Sequence, residues 1–193
     1  MIRNKNWFIT YILIAINIIM YLISAFLSGS ILEMDARVLV YLGANFAPLI
    51  DMGEYYRFIT CAFLHGGIMH IALNMYALYA IGPLIEKTYG KSKFTLIYFI
   101  SAIIASFFSY KFSIGVSMGA SGAIFGLLGA ALVLSIRMRK VIGEDFKRSI
   151  ISVILVNVII GLSISNIDNF AHLGGLLGGT LVSMVVFKKR ETY

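Results

Sequence analysis

The sequence predicts an all-α polytopic membrane protein: six transmembrane helices with a long membrane-associated first loop after the first of them. Three observations carry that prediction. The 193 residues are 60% hydrophobic and only 13% charged, with a mean hydropathy of +0.90, more apolar surface than a water-soluble domain of this size can bury. The apolar residues fall into runs of roughly 20, the length that crosses a bilayer as a helix. The basic residues stand in short clusters between those runs, as membrane orientation requires. That placement gives the net charge of +7 a topological meaning and excludes nucleic acid as the partner. The lipid bilayer takes its place, and residues 1–193 are expected to form a single domain.

The first span runs from Trp7 to Ser28. It is too long for the apolar region of a signal peptide and lacks a small-residue cleavage site after it, so it is read as a retained helix. Residues 29–56 break the pattern, mixing Glu33, Asp35, Arg37, Asp51 and Glu54 with Leu39, Tyr41, Phe46 and Ile50. That mixture predicts a partly helical loop lying on the membrane surface. The second span is expected over about Phe58–Pro83, the third over Phe94–Tyr110 and the fourth over Gly119–Ile136. The fifth, over Ser149–Ile164, is short and ends at Ser165-Asn166, and the sixth covers Asn169–Phe187. No added soluble domain is expected at either end.

Six spans put both termini on one side. With the N-terminus inside, Arg3, Lys5, Lys87, Lys91, Lys93, Arg137, Arg139, Lys140, Lys147, Arg148, Lys188, Lys189 and Arg190 lie inside. Only Arg37, Arg57 and Lys111 remain outside. The positive-inside rule therefore puts both termini in the cytoplasm, in a multi-pass cell-membrane protein.

On this topology spans two, four and six all start at the exterior face. Ser121 lies near the outer start of span four, among Gly119, Ala120 and Gly122, and His172 near that of span six. His70 and Asn74 occupy the outer part of span two. Serine needs a positioned base to act as a nucleophile, and His172 supplies one. Asp168 stands one turn, about 6 Å of helix, toward the exterior rim, so the arrangement reads as a dyad without a third acid. Such a dyad suits a membrane site, where a buried carboxylate is costly. His70 and Asn74, at i and i+4, project from one helix face. With the Ser121 N–H they form a candidate oxyanion hole, and interhelical hydrogen bonding is the structural alternative for both. Gly122, Gly126 and Ala130 on span four, with Gly174/Gly178 and Gly175/Gly179 on span six, allow close backbone approach. His65 is assigned a structural hydrogen-bonding role facing elsewhere, and Cys61 a small buried position. No histidine–glutamate or cysteine cluster is present, so no metal and no cofactor are expected.

These residues resemble the rhomboid family of intramembrane serine proteases. The matching motifs are Gly119-Ala120-Ser121-Gly122 with Gly126, the stretch from His65 through His70 to Asn74, and Ala171-His172 with Gly174, Gly175 and Gly179. They occur in the family's order, within a core from about residue 7 to 187. The resemblance implies a minimal six-helix, bacterial-type member whose Ser121–His172 dyad cleaves transmembrane segments of other proteins near the exterior face. It also implies that His70, Asn74 and the Ser121 amide stabilise the oxyanion. Two departures stand out: Tyr56-Arg57 replaces the family's frequent Trp-Arg, and Phe125 replaces a tyrosine that stacks on the histidine in many members. A rhomboid-like protein that binds transmembrane helices without cutting them is the alternative; such proteins usually lack the serine or the histidine. A channel or transporter is disfavoured, because the polar residues cluster at one face and no inverted repeat of broken helices is visible. Hydrolysis requires a water-accessible polar cavity open to the exterior, and span five is the candidate gate.

Overall fold

The computed structural model of the protein describes residues 8–164 and 167–187; the charged termini, Trp7 and Ser165-Asn166 lie outside the described residues. Among the described residues, five helices are long and apolar enough to cross a membrane: α1 (Phe8–Ser28), α5 (Ile68–Tyr89), α6 (Lys91–Phe112), α9 (Glu144–Ser163) and α10 (Asn169–Val186). A sixth apolar helix, α7 (Ser121–Arg137), is shorter at 17 residues. The first loop carries α2 (Ala36–Tyr41), α3 (Ala47–Asp51) and α4 (Arg57–Thr60), and α8 (Arg139–Ile142) joins α7 to α9. The chain is a polytopic helical bundle, as its composition predicts.

α7 is the axis of the bundle. Nearly every residue from Gly122 to Ser135 is buried, because its small residues leave room for neighbours on all sides. α6 and α10 pack against it and against each other. The glycines of α10 divide that work between two faces. A Cβ at Gly175 would strike the Gly122 carbonyl and one at Gly179 the Gly126 carbonyl, both on α7. A Cβ at Gly174 or Gly178 would instead meet Phe108 or Ile104 on α6. Bare backbone against bare backbone is how membrane helices approach most closely.

A different device joins α1 to α5. The buried carboxylate of Glu86 accepts hydrogen bonds from the Ile9 N–H (3.1 Å), the Thr10 N–H (2.9 Å) and the Thr10 hydroxyl (2.8 Å). It satisfies first-turn amides of α1 that have no partner within their own helix. Gly82, one turn away on α5, leaves the space that Thr10 occupies.

The second span is corrected. Residues 58–67 are not its outer part: α4 passes into a 3-10 turn at Cys61–Phe63, and α5 begins only at Ile68 and runs on through Pro83 to Tyr89. The Gly66-Gly67 pair is the cause. Its backbone is bonded to the first loop, with Met34 N–H on the Gly66 carbonyl (3.0 Å) and Ile68 N–H on the Leu32 carbonyl (3.1 Å). A Cβ on Gly67 would come within 2.7 Å of that Leu32 oxygen. The fifth span is also longer than expected, starting at Glu144, where Glu144 and Asp145 complement the positive helix start.

The first loop is ordered by polar ties. Asp35 caps α2 through the Arg37 N–H (2.8 Å). The buried Arg57 guanidinium donates to the carbonyls of Val40 (2.6 Å) and Ala44 (2.9 Å) and pairs with Glu54. The arginine of Tyr56-Arg57 thus anchors the loop. Asn45–Phe46 (β1) pairs antiparallel with Val116–Ser117 (β2), and Asn45 also donates to the Ser106 carbonyl of α6 (2.8 Å).

Candidate active site

Ser121 is the first residue of α7. The turn before it depends on Gly119, whose φ of +123° suits glycine and whose N–H donates to the Cys61 carbonyl (2.9 Å). The first bond closing α7 at this end is Ile124 N–H to the Ala120 carbonyl. The amides of Ser121, Gly122 and Ala123 therefore belong to the helix start, where unsatisfied N–H groups favour negative charge.

His172 Nε2 lies 3.0 Å from Ser121 Oγ, hydrogen-bond distance for a serine and its base. The Gly122–Gly175 contact, next to Ser121 and one turn along α10 from His172, sets that separation by bringing the two backbones together. Phe125 stacks on the imidazole at 4.2 Å between ring centroids and 12° between planes. The ring that stands in place of tyrosine thus keeps the stacking. His172 Nδ1 is buried and has no hydrogen-bond partner among the described residues, so no carboxylate is bonded to the far side of the ring.

His70 sits in the first turn of α5, facing Gly119. Its Nδ1 accepts from the Gly66 N–H at 3.4 Å, which assigns the proton of the neutral ring to Nε2. A Cβ at Gly119 would stand 2.7 Å from that Nε2 and 3.8 Å from Ser121 Oγ. Gly119 is thus doubly constrained, by its φ and by the histidine it makes room for. Asn74, one turn further along α5, is buried, and its amide donates to the His70 carbonyl (2.9 Å), leaving one amide hydrogen uncommitted.

The structure brings all four sequence-predicted residues to one end of the bundle. Ser121, His172 and His70 are partly exposed there. His65 needs correction. It lies off the helix, its ring centroid 5.0 Å from that of His70 in an edge-on arrangement, and neither of its nitrogens has a hydrogen-bond partner among the described residues. Packing against His70 replaces the expected hydrogen-bonding role. Cys61 is buried as expected, its sulfur 3.2 Å from the Ser106 hydroxyl. Among the described residues no three histidine, cysteine or acidic side chains group as metal ligands.

Asp168 was seen in the sequence only as an acid on the rim. It caps α10, accepting from the Ala171 N–H (3.0 Å) and the Ser113 hydroxyl (2.6 Å). Burial pushes its carboxyl up, but the hydrogen bonds around it outweigh that and hold it below the usual range; both close bonds fall on Oδ1, and the buried Oδ2 has no partner among the described residues. An aspartate four residues before the histidine, where an apolar run begins, was the available signal for this cap.

A helical membrane bundle with a serine and a histidine in contact at one end defines a class of candidate intramembrane hydrolases. The family comparison is specific: the Rhomboid domain matches residues 52–189, and the chain belongs to the rhomboid family. Over 177 residues it is 42% identical to the rhomboid protease GluP of Bacillus subtilis, covering 92% of this chain and 34% of that protein. It is 37% identical over 141 residues to the putative rhomboid protease YdcA of the same organism, covering 72% and 71% of the two chains. Rhomboid-like protease 3 of Toxoplasma gondii is 38% identical over 179 residues, covering 90% of this chain and 66% of that one. The chain thus spans about a third of the length of GluP.

Proposed function

We propose that the protein is an intramembrane serine endopeptidase that cleaves peptide bonds in or near transmembrane segments of other membrane proteins. The observation that carries this reading is the 3.0 Å contact between His172 Nε2 and Ser121 Oγ. In the proposed reaction His172 takes the Ser121 proton as Oγ attacks the scissile carbonyl, giving a tetrahedral oxyanion. The Ser121 N–H, His70 Nε2–H and the second amide hydrogen of Asn74 are the donors proposed to meet that charge. The imidazolium then returns the proton to the leaving amine, and water hydrolyses the acyl-enzyme by the same route in reverse.

The dimensions of α7 support a site within the bilayer. At 1.5 Å per residue, 17 residues span only about 25 Å, short of a hydrocarbon core of about 30 Å. With its Arg137 end at the inner surface, its Ser121 end falls below the outer one. A transmembrane helix hides its carbonyls in hydrogen bonds, so a substrate must unwind locally before Oγ can reach one. The proposed orientation has both termini cytoplasmic and the site opening to the exterior.

Purified protein in detergent should cut a reporter transmembrane substrate, and Ser121→Ala should abolish the cut. A fluorophosphonate probe should label Ser121 in the wild type and leave His172→Ala unlabelled. Equal cleavage by wild type and Ser121→Ala would overturn the assignment. A folded wild type that binds the substrate helix without cutting it would favour the silent helix-binding protein instead.

A further inference from the structure

The Ser121–His172 pair has an electrostatic gap. When Nε2 takes the serine proton the ring becomes a cation, yet buried Nδ1 has no acceptor among the described residues, and the stacked Phe125 offers only a ring face. A base in this setting needs negative charge close by, or protonation becomes costly. The titratable groups facing His172 are few: His70 from α5 and Asp168 at the start of its own helix. The α6 end contributes the hydroxyls of Ser109 and Ser113, and the outer half of α9, residues 156–163, contains no titratable residue. The Cys61 thiol is buried against the Ser106 hydroxyl. Asp168, one turn before His172 and bonded to it through the backbone, is therefore the acid placed to act on the ring.

We propose that Asp168 is a positioning residue for the dyad, holding His172 over Ser121 and supplying the negative field that stabilises the imidazolium, without bonding to the ring. The inference rests on the protease reading for its consequence in catalysis. Its geometry is independent of that reading. The Asp168 carbonyl accepts the His172 N–H (3.2 Å), while its carboxylate caps the same helix through Ala171 and reaches Ser113, the residue that ends α6. One side chain thus ties the start of α10 to the end of α6. α6 in turn bears Ser101 and Ala105, whose side chains fill the space beside Gly126 and Gly122 of α7. The hydrogen bonds around the carboxylate favour its charged form, so the field is present at neutral pH. No proton is transferred to Asp168 at any step.

The test is Asp168→Asn, which keeps a capping side chain and an acceptor for Ser113 while removing the charge. Asp168→Ser, a second neutral cap, is measured in parallel in case the amide variant fails to fold. Two quantities are read: the pH dependence of kcat/KM on a reporter transmembrane substrate, and the His172 imidazole midpoint followed by NMR with Ser121→Ala present. Both the acid limb and the midpoint should move to lower pH by about one unit, a tenfold loss in the ring's proton affinity, with kcat falling and KM held. A folded neutral variant that loses rate while the limb and midpoint stay in place would overturn the field and leave only a cap. If the wild type itself cuts nothing, the protease reading fails, and the NMR midpoint still decides whether the Asp168 charge reaches His172.

Discussion

The seams that α10 and α9 make with the central helix α7 are built in opposite ways. At the α10 seam, glycine backbones meet directly, and a Cβ on Gly175 or Gly179 would run into a carbonyl of α7. At the α9 seam, only Ile150 and Gly161 of the whole helix are buried. Near the site, the C-terminal end of α9 is tied to α10 by Asn169, whose amide donates to the Gly161 carbonyl (2.9 Å). Backbone contacts have no rotamers to relax into. The seam that fixes the Ser121–His172 distance is therefore the rigid one, and the seam beside the site is the one that can part cheaply. On the protease reading proposed above, this seam is the place to test span five as the gate for a substrate helix.

The comparison breaks first at Gly175. Gly175→Ala should destabilise the protein by about 3 kcal/mol, the upper end of the usual cost of overpacking, and fluorophosphonate labelling of Ser121 should disappear. Wild-type thermal unfolding and labelling in this variant would show that the seam yields. The α1–α5 seam asks whether a polar side chain can do what glycines do. Glu86→Gln replaces a two-oxygen acceptor by one oxygen and should cost about 2 kcal/mol through unsatisfied buried donors, read as a lower unfolding temperature. Asn169→Ala should cost about 1 kcal/mol or less and speed amide exchange at the C-terminal end of α9 while sparing α7. On the exposed face of the same helix, Val156→Ala should stay within about 0.5 kcal/mol of wild type.

The smallest expected effect is a pH dependence in the first loop. The Tyr56 hydroxyl and the Arg57 guanidinium hold the Glu54 carboxyl below its ordinary value of 4.5. Its contribution is therefore complete above that value and is lost as pH falls through the lower folded one. Tyr56 fluorescence or loop proteolysis should report loosening on acidification, and Glu54→Gln should flatten that response.

The motif residues were legible because chemistry restricts them to few residue types: a serine among small residues, a histidine beside paired glycines, and an i, i+4 donor pair. The α10 glycines were legible as packing, but not as two faces serving two different helices, because spacing records a period and not a partner. The start of span two was misread because residues 58–64 are as apolar as a helix should be. The Gly66-Gly67 break acts through backbone bonds to the distant residues 32–34 of the first loop, which no local pattern reports. The β1–β2 pairing and the edge-on His65–His70 contact were hidden for the same reason.

By itself the sequence determined a polytopic helical membrane protein and the identities of the residues that meet at one end of it. Hydropathy fixes how much chain must be buried in lipid, and side-chain chemistry fixes which groups can act. Tertiary structure decided where α5 begins, which face of α10 meets which helix, and that Asp168 ties α6 to α10 beside His172. Those outcomes depend on atoms far apart in the chain coming within about 3 Å, which is a property of packing and not of composition.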